Sequence, residues 1–131
     1  MNENFNRAIT LYNLFTSPAG DVWKRTVLQN CFAHAEIIRS VSGNEISAAS
    51  SFTVRIPASE SYLPYENWAA SDRSGWTLRA GDIVVIGEVQ DEITPEKNAA
   101  KLLAKYKDSA FKIRAFTDNS RYFQPHYKVV G

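Results

Sequence analysis

The pattern of apolar and polar positions is centred on residues 83–86, a run of four β-branched side chains with the sequence IVVI. Gly81 precedes this run and Gly87 follows it. β-Branched side chains are restricted at χ1 and pack well on a pleated sheet. A short apolar run between turn signals therefore indicates a strand covered on both faces. We expect residues 76–78 to form a short partner strand, with the chain reversing at residues 79–82.

The N-terminal third of the chain predicts three further β-runs. Residues 9–15 and 22–28 flank a turn signal that contains Pro and Gly, so they should form a hairpin. Residues 29–30 are expected to bend the chain before a third run at residues 31–38. A helix over residues 31–39 is an alternative because the alternation there is blurred, but a strand is favoured.

Strict alternation returns after residue 51. Phe52, Val54 and Ile56 alternate with more polar side chains, which predicts a strand with its apolar face on the core. Pro57 should end this strand, since proline cannot donate a hydrogen bond to a sheet.

One helix is predicted near the C-terminus. Residues 94–96, Thr-Pro-Glu, are typical of a helix start. We expect the helix to end near residues 107–108 and to be followed by strands at residues 111–115 and 126–130, with a loop over residues 118–125. The apolar stripe of the helix, at i, i+3, i+4 and i+7, consists of Ala99, Leu102, Leu103 and Tyr106.

Two long connections interrupt the pattern. Residues 40–51 are small and polar, which predicts a mobile loop or an exposed hairpin. Residues 58–75 carry Tyr62, Tyr65 and Trp68 among polar residues. Aromatic side chains in such a loop either fold back over the core or anchor a partner.

Together, these elements predict a single domain over residues 1–131 that is mainly β. We expect a small β-barrel or sandwich with one α-helix near the C-terminus and the two long loops. A chain of 131 residues buries roughly two-thirds of its unfolded surface, which suffices for a core. A hydrophobic content of 44% and a net charge of +1 fit an ordinary globular protein without a strong charge preference for nucleic acid.

The composition and motifs offer little chemistry. Cys31 is the one cysteine, so no intrachain disulfide forms and a reducing compartment is expected. The N-terminus does not resemble a signal peptide, and no window reaches the about 18 apolar residues of a membrane span. Cys31 with His34 is too small a ligand set to predict a metal site. No nucleophile motif or phosphate-binding glycine loop is present. We therefore expect no catalytic site, metal or cofactor.

The order of several short motifs resembles a family of tailed-phage proteins. The motifs are ITLYN, W-x-R-T-V, F-x-V-x-I-P, W-T-L-x-x-G-D-I-V-V-x-G-E, E-I-T before the helix, D-N-S-R and H-Y-K-V-V-G. Over residues 9–131, their order and spacing are similar to head-closure (stopper), head–tail connector or minor capsid proteins of the phage neck.

This resemblance implies a β-barrel that assembles as a ring, a hexamer or dodecamer, between the portal or adaptor and the tail. Genomic DNA would pass through the channel without sequence recognition, and the ring would help to close that channel. The protein would be a virion component, assembled in the host cytoplasm and without a membrane partner. An alternative function is an OB-like module that binds single-stranded nucleic acid or a small ligand.

Two sets of residues are hypothesised to carry the neck function. Aromatic residues of the second long connection and the segment after it would anchor a neighbouring subunit or neck protein. The first long connection would project toward the DNA channel. The anchors are Tyr62, Tyr65, Trp68 and Trp76, and the channel-facing residues are Ser42, Gly43, Asn44, Glu45 and Ser47.

Overall fold

The computed structural model shows a mainly β protein, which confirms the predicted fold class. It describes residues 7–18, 20–42, 45–59, 61–70, 75–94, 98–106, 109–119 and 126–131. Within these ranges, seven antiparallel strands form one sheet in the order β5-β4-β1-β2-β3-β7-β6. The strands are β1 (Arg7–Ser17), β2 (Gly20–Ser42), β3 (Glu45–Pro57), β4 (Ile83–Ile86), β5 (Ala110–Lys112), β6 (Ala115–Asn119) and β7 (His126–Val130), and the helices are α1 (Tyr65–Ala70) and α2 (Ala99–Lys105).

The sheet is bent into two layers by strands that belong to both. β2 pairs first with β1 and then with β3. The bend lies at the predicted place, because the pairing register shifts by one residue before Cys31 and Asn30 has a positive φ of 59°. Such a bulge bends the strand and exchanges the faces on which its side chains lie.

The second connection between the layers is Ile113–Arg114, which joins the two edge strands. The Ile113 amide donates to Asp82 in the first layer, and the Arg114 amide donates to Val130 in the second. The run predicted at residues 111–115 is therefore divided between the two layers. The edges of the sheet are joined through the chain and not by strand pairing, which gives a barrel-like sandwich whose hydrogen-bond ladder is not closed.

The central strand β4 is covered on both faces, as its composition predicts. Val84 belongs to the main core between the layers, together with Ile9, Leu11 and Val54. Ile83 and Val85 point the other way and pack with Leu102 of α2. At roughly 1.5–3 kcal/mol for each fully buried aliphatic side chain, these two clusters supply much of the stability.

Three local predictions were wrong. Residues 76–78 are not the partner of β4, which pairs with β1 and β5. The helix near the C-terminus is capped by Asn98, whose side chain accepts from the Lys101 amide, and not by Thr94. The connection over residues 58–75 contains the short helix α1. The predicted Pro95–Glu96 start and the helix end near 107–108 lie outside the described residues. None of the described helices has the length and apolarity that a bilayer crossing needs.

Candidate functional site

Trp76, one of the predicted anchors, lies inside the barrel at 2% exposure. Its ring centroid is 5.2 Å from that of Tyr62 and 6.0 Å from that of Tyr127, so the three rings form one cluster. The Leu63 amide donates to the Trp76 carbonyl at 2.9 Å, which fixes the start of the connection against this segment. Tyr62 is half-buried, and burial is the main cause that raises its pKa.

Trp68 is also fully buried, on the inner side of α1. Its indole N–H donates to the Gly75 carbonyl at 3.1 Å, and its ring meets Phe15 edge-on at 6.2 Å between centroids. The half-buried Tyr65 is covered by the guanidinium of Arg79, 3.8 Å above its ring. A cation in this position is attracted by the quadrupole of the ring. These contacts bind the connection to the barrel from both ends.

This arrangement favours the alternative in which the aromatic residues fold back over the core. Trp68 and Trp76 have no surface with which to reach a partner, so their expected role as anchors does not fit the structure. Tyr62 and Tyr65 keep part of their surface accessible. The spacing of Tyr65 and Trp68, three residues apart, was the available signal for a short helix with one buried face.

The first long connection is a β-hairpin, one of the two alternatives that the sequence left open. β2 and β3 pair without interruption from Phe32 with Arg55 to Ser42 with Glu45. Ser47 lies opposite Ser40 within the ladder. Of the predicted channel-facing residues, Ser42 and Glu45 are thus the last pair before the tip, while Gly43 and Asn44 lie outside the described residues.

Residues 36–42 and 45–51, here called the arm, extend beyond the rest of the sheet. In the described residues, β1 pairs with β2 as far as Cys31, and β7 pairs with β3 from Thr53 onward, while Gly131 after β7 exchanges backbone hydrogen bonds with Phe52. In the described part of the chain, no strand pairs with either outer edge of the arm. At about 3.3 Å per residue, seven residues span roughly 23 Å. Because an isolated two-stranded ribbon is marginally stable in water, the arm is suited to contact another protein surface.

The outer face of the second layer carries a mixed aromatic and basic row. Strand register places Phe32, Arg55, Lys128 and Thr117 side by side across four strands. Arg55 lies over the Phe32 ring at 5.1 Å from its centroid. α2 packs on the first layer and not on this face.

A buried polar cluster joins β1 to the turn before β4. Asn13 donates to the carboxylate of Asp82 at 2.8 Å and to the Thr77 carbonyl at 2.7 Å. The Leu14 amide donates to the other carboxylate oxygen at 3.1 Å. Burial raises the pKa of Asp82 to about 6, although the hydrogen bond from Asn13 acts in the opposite direction.

Asp82 lies in the chain reversal expected at residues 79–82, where its amide donates to the Arg79 carbonyl, but its partner Asn13 was not identified from the sequence. The signal for Asn13 was a single amide in an otherwise apolar β-run, since such a group needs a partner when it is buried. The cluster has no opening to solvent at Asp82, which is 1% exposed. We therefore interpret the cluster as a structural feature that holds β1 against the turn before β4.

A second polar cluster holds the segment between β4 and α2. Tyr12 donates to the Asp91 carbonyl at 2.6 Å, and the Asp91 carboxylate accepts from Lys105 at 2.7 Å and from Tyr106 at 2.8 Å. The hydrogen bonds from Lys105 and Tyr106 lower the pKa of Asp91, and burial raises that of Tyr12 to about 12. Each of these groups is occupied in holding α2 against the sheet.

Groups with reactive potential are few in the described residues. Cys31 is fully buried, and burial raises the pKa of its thiol to about 12, so it is an apolar core residue at neutral pH. Within the described ranges, no three His, Cys, Asp or Glu side chains are grouped as a metal site requires. A cleft of about 260 Å³ opens at the β2 bulge, lined by Asn30, Pro57 and Trp76 among other side chains that do not titrate.

Comparison with known proteins gives a family but no function. Residues 4–131 match the model of a family of unknown function, DUF6751. No curated protein and no solved structure matches the chain.

Proposed function

The chain belongs to the DUF6751 family of unknown function, and we propose that it is a structural component of a tailed-phage neck. In this proposal it forms a ring that joins the head, through the portal or adaptor, to the tail. The ring helps to close the channel through which genomic DNA passes without sequence recognition. The protein then acts by mechanical joining in the virion and not as an enzyme.

The observation that carries this proposal is the arm. A small barrel-like body with a ribbon of roughly 23 Å beyond its last shared strand pairing can reach a neighbouring subunit. The ribbon presents backbone donors and acceptors along both outer edges in the described part of the chain, and such edges pair readily with another strand. The order of the sequence motifs, which resembles that of neck proteins, is consistent with the same proposal.

A ring requires that the arm meet a different surface on the next copy. Such a heterologous contact, repeated with a rotation that closes, generates a ring, whereas a two-fold contact stops at a dimer. The arm lies to one side of the body, between the β2 bulge and the hairpin tip, so a contact of this kind is geometrically available.

Removal of the arm tests the proposal directly. Ile37 and Ser50 are paired in the ladder, so residues 38–49 can be replaced by Asn-Gly, the preferred two-residue hairpin turn. We expect this variant to keep the thermal unfolding of the body and to lose assembly, measured by sedimentation velocity for the variant alone and mixed with candidate portal and tail proteins. A full-length chain that stays monomeric under all these conditions contradicts the proposal.

The second candidate function is binding of single-stranded nucleic acid. It is favoured by the row of Phe32, Arg55 and Lys128, since an aromatic platform beside cations suits base stacking and phosphate contact. Titration of the monomer with a fluorescent oligonucleotide at several salt concentrations tests it. Binding that weakens with salt and is lost in Arg55→Glu supports this function, and no binding at low salt contradicts it.

A further inference from the structure

Strand β6 ends the sheet and leaves an aromatic side chain uncovered. β6 pairs with β7, and no other described strand pairs with it. Phe116 lies opposite Val129, which is fully buried, so Phe116 is on the core-facing side of the sheet. It nevertheless remains 37% exposed, since no described strand follows on the outer side of β6.

An edge of this kind, here called the seat, can accept an added strand. Its backbone donors and acceptors are in position for a ladder, and a strand laid beside β6 would cover the ring of Phe116. Asp118 is a second exposed residue on the same face. A charge on the inner face of an edge strand discourages non-specific pairing, which fits an edge that accepts one particular strand.

The arm of a second copy supplies a strand that fits this seat. Its outer strand, residues 45–51, has the sequence EISAASS and pairs with β2 on one side only in the described part of the chain. Small residues let a strand approach a neighbouring ring closely. The seat lies on the body of the molecule and the arm extends beyond it, so the contact would join two different surfaces of neighbouring copies.

The geometry points to strand addition between copies: residues 45–51 of one subunit pair with β6 of the next and cover Phe116. This inference rests on the proposed ring and names the contact that builds it. Because the arm and β6 are different surfaces of the chain, the contact can repeat head-to-tail from copy to copy, whereas a reciprocal exchange of arms between two copies would stop at a dimer. It continues the second layer of one subunit into the arm of its neighbour, so that each subunit is held on two sides.

Cysteine cross-linking tests the pairing. Ser47 lies within the paired stretch of the arm strand, and Thr117 lies in the middle of β6. The only native thiol, Cys31, is buried, and its raised pKa keeps it protonated and unreactive toward a maleimide. The introduced cysteines are therefore the reactive ones. We expect Ser47→Cys mixed with Thr117→Cys to give a covalent dimer with a short bismaleimide, and neither variant to give one alone.

The single variants are the matched controls. A dimer from Ser47→Cys alone would mean that two arms pair with each other. A dimer from Thr117→Cys alone would mean that two β6 edges pair. Either result overturns the inference, and so does an assembled mixture that gives no dimer.

Truncation of the aromatic side chain tests the same contact by affinity. We expect Phe116→Ala to raise the protein concentration at half-assembly about tenfold, the order expected for a central interface aromatic. Val22→Ala removes the second large hydrophobic side chain that is exposed among the described residues, on the β1–β2 hairpin, and should leave that concentration unchanged. Assembly that is insensitive to Phe116→Ala overturns the strand-addition inference alone, whereas a wild-type chain that never assembles overturns the proposed ring as well.

Discussion

Asn13 and Asp82 are joined by a hydrogen bond of 2.8 Å in the interior of the protein, although 69 positions separate them in the chain. The bond links β1 to the turn that precedes the central strand β4. It is made between two polar side chains that are both shielded from solvent. Such a pair is costly to leave half-satisfied, so it fixes the register of the two segments as well as their proximity.

We predict that Asp82 makes the free energy of unfolding fall as the pH rises from about 4 to about 6. Burial raises the folded-state pKa of Asp82 to about 6, above its ordinary 3.8. Between these values the folded chain binds more protons than the unfolded chain, so stability is highest below the lower value and declines up to the higher one. Two pKa units correspond to roughly 3 kcal/mol at most.

Urea unfolding at several pH values checks this prediction. The difference in unfolding free energy between the wild type and Asp82→Asn should change over the window, because the amide does not titrate. Other carboxylates, including Asp91, are common to both proteins and cancel in the comparison. Parallel stability curves for the two proteins would contradict the prediction.

Asn13→Ala is predicted to destabilise the fold by about 3 kcal/mol at neutral pH. The substitution leaves the Asp82 carboxylate and the Thr77 backbone without the partner they have now, and a buried group left unsatisfied costs about 1–3 kcal/mol, more when it is charged. Asn67→Ala, at an exposed position of α1, is the matched control and should stay within about 0.5 kcal/mol. Equal losses of unfolding free energy for the two substitutions would argue against this structural role of Asn13.

The bulge of β2 predicts a contrast between two substitutions of Asn30. Its φ of 59° lies in the left-handed region, which costs other L-residues roughly 1–2 kcal/mol and glycine almost nothing. Asn30→Ala should therefore lower the free energy of unfolding by about 1 kcal/mol, while Asn30→Gly should leave it nearly unchanged. Thermal unfolding of both variants measures this, and a glycine variant less stable than the alanine variant would refute it.

Trp68→Ala is predicted to act on folding and not directly on assembly. The side chain is fully buried and donates to Gly75, so its loss should cost about 3–5 kcal/mol. At a temperature where the variant is still folded by near-ultraviolet circular dichroism, its assembly should match that of the wild type. Reduced assembly of a variant that is shown to be folded would instead support the hypothesis that Trp68 contacts a partner.

Most strands could be predicted from the sequence because their signals are local. The apolar run 83–86, the alternation at residues 52–56 and the bend at 29–30 each depend on a few neighbouring residues. Pairing partners depend on distant segments, and for this reason residues 76–78 were assigned to the wrong neighbour. The start of α2 was misplaced because Thr94 and Asn98 are both good caps, and in the structure it is the Asn98 side chain that accepts from the Lys101 amide.

The candidate surfaces were harder to predict than the strands. Sequence indicated which aromatic residues lie in a loop, but their orientation depends on Phe15 and Arg79, which are remote in the chain. The small residues of the arm matched a loop as well as a hairpin, since serine and alanine are weak signals for either. The exposed position of Phe116 could not be predicted, because only the strand order shows that it lies at an edge of the sheet.

The one-residue bulge in β2 also restricts how the chain can vary in length. Cys31 and Ala33 face inward after it, whereas Leu28 faces inward before it. Loss of Asn30 would turn the following side chains over, which would expose the inner row and bury the outer one. Within the β2–β3 hairpin, a change of length keeps every side chain on its face when it adds or removes matched residues in both strands of the arm. Homologues should therefore differ in the length of the arm while the register of the body stays the same.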